Sequence, residues 1–197
     1  MVKYLSESIA DLYIKRNIIK ADEKEVYKCG LELILNDIVT FTIVILISGL
    51  MFKVRYGLEF LITFCVVRVY CGGYHAAKTY ICRLTMLVTF LSVVILSELM
   101  VRLSDYPFYL IIIISLMVLL PLIPVKHPNK KLTDTMIERN RRNGIIAYIV
   151  FSFCGVVILN FISRQDAYII AISLSAVTVL AIIGILVNER RQKQWKV

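Results

Sequence analysis

The sequence predicts an all-α, polytopic membrane protein of about six transmembrane helices, preceded by an amphipathic interfacial helix. Three observations carry this expectation. The 197-residue chain is 59% hydrophobic with a mean hydropathy of +0.77, above the roughly 45–50% apolar usage of soluble domains. Its apolar residues gather into runs that approach the length of about 20 residues needed to cross roughly 30 Å of hydrocarbon. Its charge is strongly basic, 23 Lys and Arg against 14 Asp and Glu for a net +9, and is concentrated between those runs. No stretch large enough for a soluble domain remains, so residues 1–197 are read as a single membrane domain. Nucleic acid is not expected as a partner, because no soluble module presents the charge.

The elements follow in order. Residues 1–28, "MVKYLSESIADLYIKRNIIKADEKEVYK", lack the compact order of a cleavable leader and are expected to be retained. Leu5, Ile9 and Leu12 fall at i, i+4 and i+7, with Ser6, Glu7, Asp11, Lys15 and Arg16 on the other face. That pattern suits a helix in the headgroup layer or one packed on the soluble side of the bundle. Spans are expected at about 31–52, 57–70, 80–101, 107–125, 144–162 and 167–187. Glu32, Asn36 and Asp37 near the start of the first imply that this end faces protein or water. The second, "GLEFLITFCVVRVY", offers 14 residues, or about 21 Å of helix, and is either a short span or a re-entrant piece. Pro121, Pro124 and Pro128 punctuate the approach to a basic loop at 126–143, where Lys126, Lys130, Lys131, Arg139, Arg141 and Arg142 stand against Asp134 and Glu138.

Orientation follows from charge. With a cytoplasmic N-terminus, the outer loops near 53–56, 102–106 and 163–166 carry only Lys53, Arg55, Arg102 and Arg164, leaving the other 19 of the 23 basic residues inside. Both termini and the polar stretch "RVYCGGYHAAKTYIC", Arg68 to Cys82, then face the cytoplasm of a cell-membrane protein.

That stretch carries the chemistry. His75 and Cys82 form a His/Cys pair seven residues apart, and a thiol with a pKa near 8.5 needs a neighbouring base or positive field to become a nucleophile at neutral pH. On a straight helix the i, i+7 spacing would leave the two about 10.5 Å apart along the axis. The chain must therefore depart from a continuous helix near His75, which Gly72 and Gly73 permit. A helix beginning near Lys78 or Thr79 would also put Cys82 in its N-terminal turn, where the dipole favours an anion.

Other readings stand beside this one. Cys29, Cys65 and Cys154 suit small core packing, and an odd count of five cysteines argues against a disulfide framework. Cys71, His75 and Cys82 lack the spacing of a closed zinc site, so no metal and no cofactor are expected. Arg68 is either an interfacial anchor or a donor to a substrate carbonyl or carboxylate. The basic loop either reflects topology alone or docks an acidic partner or anionic lipid, each charge contributing on the order of 1 kcal/mol. A small peptide transporter, or a thiol-redox enzyme using Cys71 and Cys82, are the competing functions.

Arg68-x-Tyr70-x-Gly72-Gly73-Tyr74-His75-Ala76 followed by Cys82, in a small basic chain of about six spans, resembles the accessory gene regulator protein B family. "PVKHPNKKL" supports the resemblance more weakly. It implies a membrane cysteine endopeptidase of quorum sensing. Such an enzyme removes the acidic C-terminal tail of a pro-peptide with an amphipathic leader, and closes the signal segment into a thiolactone or lactone. It further implies Cys82 and His75 as catalytic residues, Arg68 and Gly73 as positions important for activity, Lys126, Lys130 and Lys131 in a required basic loop, and a homodimer. Arg141 adds to the charge proposed to hold the acidic tail, and Glu32 and Asp37 are the candidates for a third member orienting His75. Cys71 matches no catalytic position of the family.

Overall fold

A computed structural model describes residues 2–72, 79–125 and 133–194. The described residues form seven α-helices and one short 3-10 turn, with no strand among them. The helices are α1 (Val2–Lys15), α2 (Lys24–Met51), α3 (Val54–Cys71), α4 (Thr79–Met100), α5 (Tyr106–Leu119), α6 (Asp134–Phe161) and α7 (Arg164–Gln194). The all-α class is as the hydropathy predicts.

Six spans are not what the helices supply. Four are long and apolar enough to cross a membrane: Ala21–Met51, Tyr80–Met100, Asp134–Phe161 and Arg164–Asn188. The span expected at 107–125 is the 14-residue α5, about 21 Å long, because the chain turns before Pro121. The span expected at 57–70 is the 18-residue α3, whose Arg55, Glu59 and Arg68 make it too charged to count by composition. The loop expected at 126–143 is likewise shorter. Thr133 caps a helix there, its hydroxyl accepting from the Met136 N–H at 3.4 Å, and Asp134 sits in the first turn where the dipole favours an acid. Residues 134–143 are thus the opening turns of α6.

The chain divides into two compact units, Met1–Ile47 and Ser48–Val197. In the first, α1 is tied to the start of α2 by its acidic face, Lys24 to Asp11 at 2.6 Å and Lys28 to Glu7 at 3.9 Å. Tyr4, Leu5, Leu12 and Ile18 remain exposed. An apolar face left outward by a helix pinned through its charges suits a membrane surface.

The second unit is built around α7, against which α3, α4, α5 and α6 all pack. Nine consecutive residues, Asp166 to Leu174, are buried, the mark of a helix covered on every side. Small residues allow close approach: a Cβ at Gly155 would lie 3.2 Å from the Phe108 ring and 3.5 Å from Ile170. Polar side chains join the helices inside. Tyr148 donates to the Ile112 carbonyl at 3.0 Å and shares a hydrogen bond with Ser115. Gln165 donates to Ser97 at 2.8 Å and Tyr168 to the Ser104 carbonyl at 3.0 Å. Arg55 reaches the buried Asp166 at 3.2 Å.

Candidate functional site

The site begins where α3 ends. Phe60 stacks on Phe64 at 5.0 Å and meets Phe90 of α4 at 5.4 Å, so an aromatic cluster fixes the two helices flanking the His/Cys stretch. Arg68, one helical turn beyond Phe64, sets its guanidinium 5.3 Å from that ring. This cation–π contact holds the half-buried arginine against protein.

One turn further, Cys71 is completely buried and Gly72 closes the helix, its N–H donating to the Arg68 carbonyl at 2.9 Å. Gly72 has φ 75° and ψ −161°, a region open in practice only to glycine. A second constraint acts on it. The Val125 N–H donates to the Cys71 carbonyl at 2.9 Å, and a Cβ at Gly72 would stand 3.0 Å from the Val125 carbonyl oxygen. On the other side, a Cβ at Gly144 of α6 would stand 3.1 Å from the Cys71 sulfur and 3.5 Å from Cβ of Tyr70. Three segments distant in sequence therefore meet at Cys71 and Gly72. One of them runs directly into Lys126, and another leads, three residues on, to His75.

Cys82 is the fourth residue of α4, half-buried and free. None of the five cysteines is in a disulfide, and Cys82 alone among them lies in the first described turn of a helix. α4 is described from Thr79 onward, and residues 73–78 before it lie outside the described residues. Arg141 is exposed on the opening turns of α6. Glu32 and Asp37 belong to the Met1–Ile47 unit, half-buried and exposed respectively. Gly73, His75, Lys126, Lys130 and Lys131 lie outside the described residues, and so does the separation of imidazole and thiol. Among the described residues no group of three His, Cys, Asp or Glu side chains is placed to hold a metal.

Val125 and Gly144 are the residues that reading the sequence missed. Each sits more than 50 residues from Cys71 or Gly72 in the chain, and neither carries a functional group that would draw notice.

An apolar helical bundle of this kind, with four helices long and apolar enough to cross a membrane, defines a polytopic helical membrane protein. The sequence model of accessory gene regulator B matches residues 6–186. The chain belongs to that family, and so to the machinery that processes the autoinducer of agr quorum sensing. No curated protein and no solved structure matches it.

Proposed function

We propose that the protein is a membrane cysteine endopeptidase. It removes the acidic C-terminal tail of a short pro-peptide and releases the signal segment as a thiolactone or lactone. The observation that carries this reading is the position of Cys82 in the first described turn of α4, half-buried and in no disulfide, within a chain of the accessory gene regulator B family.

In this reading His75 takes the Cys82 proton and the thiolate attacks the scissile carbonyl. The tail leaves as an amine protonated by the imidazolium, giving an acyl-enzyme thioester. A thiol or hydroxyl of the bound peptide then attacks the thioester and frees Cys82, closing the ring without a nucleotide. Water would destroy the same intermediate, so a partly enclosed thiol favours cyclisation over hydrolysis. Arg68, steadied on Phe64, supplies a donor to the peptide. Backbone amides around Gly73 and His75 are the candidate oxyanion donors, the Gly72 N–H being committed to the Arg68 carbonyl. Lys126, Lys130, Lys131 and Arg141 hold the acidic tail while the leader lies on the membrane, which raises the local concentration of the scissile bond. The active site and both termini face the cytoplasm, and the working form is a homodimer.

The test is tail release in proteoliposomes with an acidic-tailed pro-peptide. Cys82→Ala and His75→Ala are expected to abolish it, and Cys71→Ala to retain it. Tail release surviving Cys82→Ala removes the reading. Loss with Cys71→Ala equal to that with Cys82→Ala would favour the thiol-redox alternative, which the complete burial of Cys71 disfavours.

A further inference from the structure

From the junction where α3 ends we infer that Gly144 of α6 is a positioning residue for the reaction. Lacking a side chain, it lets α6 close on the Cys71 thiol, which fixes the Gly72 turn and, through it, the relation between the catalytic stretch and the basic segment. This rests on the peptidase reading above.

The geometry is specific. Gly144 is buried, and the nearest atoms to a Cβ placed there are the Cys71 sulfur at 3.1 Å, Cβ of Tyr70 at 3.5 Å and the Cys71 backbone nitrogen at 3.7 Å. Each belongs to the last two residues of α3. The sulfur cannot move away into solvent, because Cys71 is completely buried. The same residue's carbonyl accepts from Val125 at 2.9 Å, and Gly72 meets the Val125 carbonyl at the 3.0 Å limit of approach. A methyl group at position 144 therefore presses on a residue that carries both the turn before His75 and the hydrogen bond that anchors the chain before Lys126. Close-packed interiors pass such a displacement on, because they have no free volume to absorb it.

A cysteine dyad and a set of tail-binding cations act on one peptide at two places. Their mutual spacing decides whether the scissile carbonyl stands over the thiol once the tail is held. A shift of that spacing by a fraction of an ångström leaves the charges of the basic segment intact, so binding survives while the reacting geometry suffers. The signature of Gly144 is accordingly a fall in kcat with little change in KM. A residue needed only for folding would instead lower the amount of active protein and leave the kcat of the folded fraction untouched.

The experiment uses the full-length protein in proteoliposomes, with active sites counted by titration. Gly144→Ala is expected to lower kcat about tenfold with KM within about twofold. Gly144→Ala combined with Cys71→Ala, which removes the sulfur that the new methyl group meets, is expected to recover most of the loss. Maleimide labelling of Cys71, read by mass spectrometry, reports the junction independently of activity. It is expected to be slow in the parent and faster in Gly144→Ala. Should Gly144→Ala alone fail to accumulate, the double variant and the parent's labelling still decide. A double variant no better than Gly144→Ala, an unchanged kcat in Gly144→Ala, or rapid labelling of Cys71 in the parent each overturns the inference. Failure of the peptidase reading appears separately, as tail release that survives Cys82→Ala.

Discussion

Gly72→Ala is the sharpest single perturbation of the site, because two independent constraints meet at that residue. Its φ of 75° with ψ −161° lies where a side chain costs about 1–3 kcal/mol. The added Cβ would also stand 3.0 Å from the Val125 carbonyl oxygen, so Val125 must retreat and strain its hydrogen bond to Cys71, worth about 0.5–1.5 kcal/mol. Together these come to about 1.5–4.5 kcal/mol. Since each 1.36 kcal/mol is tenfold in rate, a cost falling wholly on the reacting geometry would lower kcat/KM by about 10-fold to 2,000-fold. Tail release in proteoliposomes measures that share, and thermal unfolding in detergent measures the share taken as lost stability. Gly30→Ala is the control. Nothing lies within 4 Å of a Cβ at Gly30, which sits inside α2, so the change is expected to leave activity unchanged and to add about 0.5–1 kcal/mol of helix stability. Gly72→Ala with both activity and unfolding temperature equal to the parent would refute the geometry.

Three further outcomes follow from the same structure. Reversing Lys130, Lys131 and Arg141 to Glu together is expected to weaken processing at least tenfold at low salt and less at high salt, as screening would require; unchanged cleavage at low salt removes the docking role. Asp166→Asn is expected to cost about 1–3 kcal/mol in thermal unfolding, because the buried carboxylate becomes a neutral amide and the half-exposed Arg55 loses its ion-pair partner. Asp105→Asn, where both partners of the Arg164 pair are half-exposed, is expected to cost about 0–1 kcal/mol, and equal losses would contradict the burial assigned to Asp166. Tyr148→Phe removes the donor to Ile112 and the partner of Ser115 and is expected to cost about 1–2 kcal/mol; an unfolding temperature matching the parent would show those bonds to be idle.

The sequence by itself determined the class of protein and marked the stretch on which the chemistry is proposed. High hydropathy in runs forces helices, because a backbone in hydrocarbon must satisfy its own hydrogen bonds. The spacing of His75 and Cys82, with glycines before them, marked the stretch where such a helix has to break, and α3 and α4 do flank it. Hydropathy read less well where charge and length compete. Residues 134–143 looked like loop because they are polar, yet the Thr133 cap and the continuity of α6 make them helix, and α3 and α5 fall short as spans. Tertiary structure alone decided that Val125 bonds to Cys71 and that Gly144 closes on its sulfur. A backbone N–H and a missing side chain leave no mark in composition or periodicity. Their meaning arises only when packing on α7 brings three distant segments to one point, because contact depends on spatial separation and not on position along the chain.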